Sequence, residues 1–177
     1  MIPEVGMRVL YRTDGICRVT DIRKETFASD KEEKLYYVLK PESDPGATFY
    51  VPAENRKLTD QMQPLLSEGE AKKLLASLES ERKENGNQDW IEDSRARGEH
   101  FRSVMAACNR GDWIRVIRSI TARRKVLDAS GKKLSGADDA VMKKLLKTLT
   151  EEFSAVLHTE RDNTAAILLG ETAYFSV

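Results

Sequence analysis

The sequence predicts an α+β protein in which a small β-barrel or strongly bent sheet precedes an all-α helical domain. Two observations predict this class. Short runs that alternate apolar and polar residues fill the first 60 positions, which is typical of strands. From residue 64 onward the apolar residues recur at helical spacing instead. We therefore predict a β domain over residues 1–60 and a helical domain over residues 64–177, each with a modest core.

Four or five short strands are predicted in the first domain. Residues 7–11 and 15–22 flank the turn signal Thr13-Asp14-Gly15, which favours a hairpin. Residues 36–39 and 48–51 are rich in aromatic and β-branched side chains, and a segment with two prolines and a glycine separates them. A unit of this size offers much surface for binding and few residues for catalysis.

The second domain is predicted to begin with a helix whose apolar positions lie between Leu65 and Leu78. Ser67 and Glu70 have the spacing of a capping box at its start. The following stretch, 79–89, is polar and without an apolar period, so it predicts a hinge or an exposed loop.

Further helices follow from apolar residues at i, i+3, i+4 and i+7. The second is predicted over 88–109 and is expected to end at Gly111; the third covers 113–127, with Asp112 as its cap. Ser135 opens a fourth helix, and a last short helix covers 163–169.

Composition and motifs argue against several classes of protein. The chain has 40% hydrophobic residues, no apolar run near the roughly 18 residues of a membrane span, and no signal-peptide pattern. Cys17 and Cys108 lack pairing or metal spacing. Nucleotide-binding, zinc-protease and nucleophile-elbow motifs are absent, and His100 and His158 are far apart. We expect a cytoplasmic, non-enzymatic protein with no cofactor, metal, small-molecule substrate or membrane contact.

The charge is unevenly distributed along the chain. Overall 29 Lys and Arg balance 29 Asp and Glu, but residues 89–148 carry 14 basic against 8 acidic side chains, a net charge of +6, with −2 before and −4 after them. Such a surplus fits phosphate binding, although an ordinary solvated face is the competing interpretation. The candidate phosphate contacts on the second and third helices are Arg95, Arg97, Arg102, Arg115, Arg118, Arg123, Arg124 and Lys125. On the fourth helix, Lys143, Lys144 and Lys147 occupy the polar side.

Trp90 has two interpretations. It precedes Phe101 by three helical turns, which places it on the apolar side and favours core packing. It also follows a polar stretch and stands near Arg95 and Arg97, where an exposed ring would suit a wedge or a stacking contact with nucleic acid. Trp113, beside Ile114 and Ile117, is predicted to lie in the core.

The chain resembles the CarD/CdnL family of bacterial transcription regulators. The most specific element is the block Val51-Pro52-Ala53-Glu54-Asn55 after a strand. The resemblance is looser in the helical half, through Gly111-Asp112, the segment 132–135 and Glu152-Phe153, and spans residues 1–158. The other matching residues are Val5, Gly6, Val9, Tyr11, Gly15, Val19, Tyr37, Val38, Leu39 and Lys40.

The resemblance implies a Tudor-like N-terminal barrel that binds the RNA polymerase β subunit through a strand edge. It also implies a helical domain that contacts promoter DNA, without sequence preference, at the upstream edge of the bubble. Basic residues there hold phosphates, a tryptophan, here Trp90, wedges into the minor groove, and the open complex is stabilised. The protein would then be associated with the nucleoid. Carried over by position, the polymerase contact involves Thr48, Phe49, Tyr50, Val51, Pro52, Glu54 and Asn55.

The sequence departs from the family pattern in three places. An arginine of the preceding hairpin has no aligned counterpart here, and Arg23 and Lys24 are only nearby. Tyr50 stands where a basic residue often precedes the Val51–Asn55 block, and Trp90 lies about two helical turns farther from Gly111 than usual. An alternative function is a polymerase-binding adaptor whose helical domain recruits another protein, with Tyr174 and Phe175 in an acidic tail as contacts.

Overall fold

The computed structural model describes residues 2–27, 32–85, 90–173, except that the side chains of residues 82–85 are not described. The chain divides into two compact units, Met1–Leu65 and Leu66–Val177. The division falls next to the predicted gap between residues 60 and 64. The functions assigned to the two domains stay predictions.

The first unit is a five-stranded antiparallel sheet with the strand order β4-β3-β2-β1-β5. The strands are β1 (Arg8–Tyr11), β2 (Ile16–Glu25), β3 (Lys34–Pro41), β4 (Phe49–Pro52) and β5 (Met62–Pro64), and a short helix α1 (Arg56–Thr59) precedes β5. The four predicted strands are confirmed. The sequence interpretation missed α1 and left the fifth strand unplaced.

One face of this sheet holds the core of the unit. The alternation of β2 buries Cys17 and Val19, which pack with Val9, Leu39 and Val51 from neighbouring strands. The turn between β1 and β2 is closed by the Tyr11 N–H, which donates to the Gly15 carbonyl at 3.1 Å. Gly15 has φ of +93°, a value that favours glycine.

The α+β class is confirmed. The two strands at the ends of the sheet order, β4 and β5, do not pair with each other within the described residues, so closure into a Tudor-like barrel stays a prediction. As an end strand, β4 has one side without a neighbour in the described sheet.

The second unit consists of five helices in the described part of the chain. They are α2 (Glu68–Asn85), α3 (Ser94–Ala107), α4 (Arg110–Ala129), α5 (Gly136–Leu157) and α6 (Arg161–Leu169). The capping box of α2 is confirmed, because the Glu70 N–H donates to Ser67 Oγ and the Ser67 N–H donates to the Glu70 carboxylate. Within the described residues, no helix is both long enough and apolar enough to cross a membrane.

Helix α2 is longer than predicted. It continues to Asn85 through much of the stretch predicted as a hinge or loop. The loop prediction was wrong for residues 79–85, which are helical. Two of the polar side chains have distant partners: Glu79 is buried against Arg118, and Glu81 binds Arg115. Residues 86–89 lie outside the described residues.

Two helix starts also differ from the prediction. Helix α3 begins at Ser94, not 88, because Asp93 caps it by accepting from the Ala96 N–H at 2.7 Å. Helix α4 begins at Arg110 with Asn109 as its cap. Gly111 therefore lies in the first turn of α4, where an added Cβ would stand 3.4 Å from the Leu74 side chain.

The core of the second unit forms where α4, α5 and α6 pack against one another. Trp113 is fully buried, as predicted, and its Nε1–H donates to the Val104 carbonyl at 2.9 Å. The predicted Ser135 cap of α5 and the short last helix are confirmed. Besides Trp113, the large side chains of α4, α5 and α6 that are fully buried are Ile114, Ile117, Ile120, Leu145, Leu149, Phe153 and Leu168.

Candidate functional site

The outer edge of β4 carries backbone groups that can accept another strand. The Ala53 N–H donates to the Leu35 carbonyl at 2.8 Å, and the register pairs Tyr37 with Val51 and Val38 with Tyr50. Hydrogen-bonded pairs alternate in an antiparallel ladder, so Val51 directs its backbone groups toward β3. The N–H and C=O of Tyr50 then face the open side.

Proline at position 52 is compatible with this alternation of hydrogen-bonded pairs. Pro52 lies opposite Tyr36 in the register, so its backbone nitrogen faces the open side of β4. Proline has no N–H, and therefore no hydrogen bond to β3 is lost at this position. A proline is tolerated in a sheet at such an edge position. The open edge therefore offers a donor and an acceptor at Tyr50, whereas the Pro52 carbonyl already accepts from the Asn55 N–H at 3.0 Å.

The Tyr50 side chain belongs to an aromatic cluster on the sheet face opposite the core. Its ring lies 5.1 Å from that of Phe27, which lies 5.1 Å from that of Tyr36. Arg23 donates to the Tyr50 hydroxyl at 3.4 Å. Sequence reasoning noted Arg23 only as a residue near the family's hairpin arginine and missed Phe27, which lies two residues beyond the end of β2 and outside the β2–β3 register.

The other predicted polymerase contacts have different environments. Val51 is buried in the core, and Phe49 packs on the Tyr11 ring at 5.8 Å, so these two residues offer backbone more than side chain. Asn55 caps α1 by accepting from the Leu58 N–H. Thr48 is exposed and precedes β4. An open depression next to the strand is lined by Lys34, Leu35, Tyr36, Pro52, Glu54, Asn55, Arg56 and Lys57.

Arg97 is a structural residue in the second unit. It is 7% exposed and makes a two-pronged ion pair with Asp138, both contacts being 3.0 Å. It also donates to the carbonyl of Ile91 at 2.7 Å. This burial leaves Arg97 little exposed to a phosphate, and its DNA contact stays a prediction. The partner carboxylate lies 41 positions away, so no local spacing indicates the pair.

Trp90 is half-buried against the second unit. Its ring centroid lies 6.5 Å from that of Phe101, edge to face, and the guanidinium carbons of Arg97 and Arg123 lie 4.5 and 5.6 Å from it. The residue precedes α3 and does not project from it. These contacts favour the packing interpretation over the wedge.

Arg115 and Arg118 also have carboxylate partners. Arg115 binds Glu81 and Asp112, both at 2.8 Å; burial alone would lower its pKa, and these partners raise it. Arg118 binds Glu79 at 2.7 Å and donates to the Ile167 carbonyl at 3.2 Å. The expected unpaired cations are thus ion-paired at these positions.

The remaining candidates differ in accessibility. Arg123 pairs with Glu92 at 3.0 Å, and Arg124 pairs with Asp139. Arg95 has an 89% exposed side chain, beside Glu99 at 3.3 Å. Arg102 and Lys125 are exposed and form no ion pair with another described residue. Of the predicted set, Arg95, Arg102 and Lys125 are the most accessible cations.

Residues 4–66 match the family model described as the CarD-like/TRCF RID domain. The matched range contains all five strands and α1. The resemblance predicted from the sequence is confirmed over these residues, whereas for the helical half it stays a prediction. A comparison with curated proteins gives no match for the chain.

Proposed function

We propose that the chain is a non-enzymatic transcription regulator that binds the RNA polymerase β subunit, because residues 4–66 match the CarD-like/TRCF RID domain model. The observation that carries the proposal is the coincidence of this family match with an end strand that has backbone groups free to pair. In this proposal the sheet closes as a Tudor-like barrel and β4 faces the polymerase.

Binding proceeds by addition of a polymerase strand to β4. The Tyr50 N–H and C=O form the pairing groups, because main-chain hydrogen bonds supply the affinity in this mode of recognition. Side chains on alternate positions supply the specificity. Glu54 and Asn55 lie just beyond the strand end and complete the contact.

A proline scan of β4 tests the strand addition. Tyr50→Pro removes an N–H that faces the open side and leaves the β3 ladder intact, so the variant should stay folded and lose co-purification with RNA polymerase. Tyr50→Ala is the matched control, because it keeps the N–H and removes the ring. If Tyr50→Pro, with an unchanged thermal melt, binds polymerase as well as the control does, strand addition is refuted.

The helical unit contacts promoter DNA in the proposed mechanism. Its accessible cations Arg95, Arg102 and Lys125 engage phosphates, which gives weak, salt-dependent binding without sequence preference. Tethering through the first unit makes this contact effectively intramolecular and raises its occupancy. The upstream edge of the bubble is then held, and the open complex lasts longer.

Open-complex lifetime with and without the protein tests this mechanism. We expect a longer lifetime with the wild-type chain, and the charge reversals Arg95→Glu, Arg102→Glu and Lys125→Glu together should remove that effect while polymerase binding persists. The adaptor alternative predicts that the triple variant behaves as wild type. No change in lifetime with the wild-type protein, once polymerase binding is established, refutes the DNA mechanism.

A further inference from the structure

The aromatic cluster of Phe27, Tyr36 and Tyr50 is partly open to solvent. Its rings meet edge to face, with centroids 5.1 Å apart between Phe27 and either tyrosine and 6.4 Å apart between the two tyrosines. Tyr36 is 5% exposed, whereas Phe27 and Tyr50 are each 37% exposed. The cluster therefore presents two rings whose remaining apolar surface a partner can cover.

The cluster is continuous with the open edge of β4. Val38 of β3 lies opposite Tyr50 in the register and is 5% exposed. The N–H and C=O of Tyr50 face the other way, toward the open edge. A strand added there in the antiparallel sense, like the other pairings of the described sheet, places one residue directly opposite Tyr50, with the two Cβ atoms about 5 Å apart on the same face. The side chain of that residue then meets the Tyr50 ring.

The charges around Tyr50 disfavour a carboxylate at the paired position. Arg23 donates to the Tyr50 hydroxyl at 3.4 Å, but its guanidinium also binds Glu25 at 2.7 Å and Asp21 at 3.3 Å. One cation and two carboxylates leave a net charge of −1 beside the ring. A partner carboxylate would be repelled by these acids, and the arginine that could bind it is already engaged.

A cation at the paired position is disfavoured as well. The guanidinium carbon of Arg23 lies 5.9 Å from the centroid of the Tyr50 ring, so the chain itself already supplies the cation of a cation–π contact. A second cation beside the ring would lose hydration and be repelled by Arg23. An aliphatic or aromatic side chain carries neither cost, and pairs of an aromatic with a β-branched or aromatic residue are favourable across strands.

We propose that the aromatic cluster sets the specificity of the β4 edge and that the polymerase strand carries an apolar side chain opposite Tyr50. The proposal rests on the polymerase contact proposed above and adds Phe27 as a contact residue, because a long side chain on the added strand reaches the diagonal position as well. Affinity for polymerase then depends on the apolar surface that is covered at this position, and this part of the affinity changes little with ionic strength.

Substitutions at Tyr50 test the proposal in binding assays of the full chain with RNA polymerase core enzyme at about 50 and 300 mM salt. Tyr50→Phe keeps the ring and should bind within about twofold of the wild type. Tyr50→Ala should bind about 10-fold more weakly at both salt concentrations, and Tyr50→Pro more weakly again because it also loses the N–H. Tyr50→Arg and Tyr50→Glu should both lose affinity, since neither charge is accommodated beside the ring.

Two further variants separate the cluster from general surface hydrophobicity. Phe27→Ala should weaken polymerase binding about threefold. Val126→Ala is the matched control, because it removes a 58% exposed apolar side chain from α4, and it should leave the affinity unchanged. Thermal melts of all variants report whether each one stays folded.

Several results would overturn the proposal. Tighter binding by Tyr50→Arg at low salt would mean that the partner residue is acidic, and tighter binding by Tyr50→Glu would mean that it is basic. Wild-type affinity in both Tyr50→Ala and Phe27→Ala, with binding lost in Tyr50→Pro, would show that the polymerase strand recognises backbone alone; the specificity proposal then fails while strand addition stands. If the wild-type chain does not bind polymerase at either salt concentration, the proposed function itself fails, and the specificity proposal fails with it.

Discussion

Asp138→Asn should destabilise the helical unit strongly. Asp138 is the carboxylate of the buried pair with Arg97, and the two side chains are 8% and 9% exposed. The Arg97 guanidinium also lies 4.5 Å from the Trp90 ring and donates to the Ile91 carbonyl. Loss of the carboxylate charge leaves this guanidinium buried without a counterion.

The magnitude follows from the geometry of the pair. At 3.0 Å, two unit charges in an effective dielectric of about 20 attract each other by roughly 5 kcal/mol. Desolvation offsets part of this attraction, but removal of one partner of a buried pair costs about 3–5 kcal/mol because the other charge stays uncompensated. Asparagine keeps one hydrogen-bond acceptor, so we expect about 3 kcal/mol for Asp138→Asn.

Urea denaturation of the full chain, followed by circular dichroism at a helical wavelength, measures this loss. Glu99→Gln is the matched control, because Glu99 forms the exposed pair with Arg95, and its substitution should leave the midpoint unchanged. Addition of Arg97→Met to Asp138→Leu should recover at least about 1 kcal/mol, since the orphaned charge is then gone.

A loss below about 1 kcal/mol for Asp138→Asn would refute the reasoning. So would a double variant that is no more stable than Asp138→Leu alone. Either result would mean that the guanidinium reaches water or another carboxylate when Asp138 is neutral, and Arg97 would again become a candidate for phosphate binding.

Three further predictions address the same unit. Trp90→Ala should cost about 2 kcal/mol of unfolding free energy in urea melts, because the ring loses two guanidinium contacts and its packing on Phe101; an unchanged stability would restore the wedge interpretation. Ser67→Ala should cost about 1 kcal/mol through loss of the α2 cap, whereas Ser77→Ala, an exposed mid-helix site, should not. Burial would raise the Asp138 pKa, but hydrogen bonds from Arg97 and Ser135 hold it below its ordinary value. The stability contributed by the ionised Asp138 is therefore present above pH of about 4 and is lost on further acidification. In urea melts across that pH range, the wild-type chain should lose more stability than Asp138→Asn.

The sheet could be predicted from the sequence because its signals are local. Alternation in β2 and the turn at Gly15 depend on neighbouring residues, and the structure keeps them. Strand β5 has only three residues, Met62–Pro64, which is too short for a period. The pairing with β3 decides which backbone groups of β4 face the open edge. That the Tyr50 N–H and C=O face it could therefore not be predicted from the strand alone.

The helix boundaries moved where a cap or a distant partner outweighed the local pattern. Asp93 and Asn109 each accept a hydrogen bond from a first-turn N–H. They set the start of α3 six residues after the expected position and that of α4 three residues before it. Helix α2 continued through polar residues because Glu81 binds Arg115, 34 positions away. A hydropathy period contains no information about such a pair.

The basic segment shows why net charge must be counted after pairing. Between Arg97 and Arg124, six arginines bind carboxylates, and most of those carboxylates come from α2 or α5 rather than from the arginine's own helix. The pairs are Arg97 with Asp138, Arg110 with Glu152, Arg115 with Glu81, Arg118 with Glu79, Arg123 with Glu92 and Arg124 with Asp139. A planar guanidinium suits such fixed, partly buried pairs, whereas an ammonium is strongly hydrated and stays at the surface. The basic side chains behind the net charge of +6 of residues 89–148 therefore have different roles according to residue type. Arginines mainly hold the helices together, and the charge left for an anionic partner resides chiefly on lysines.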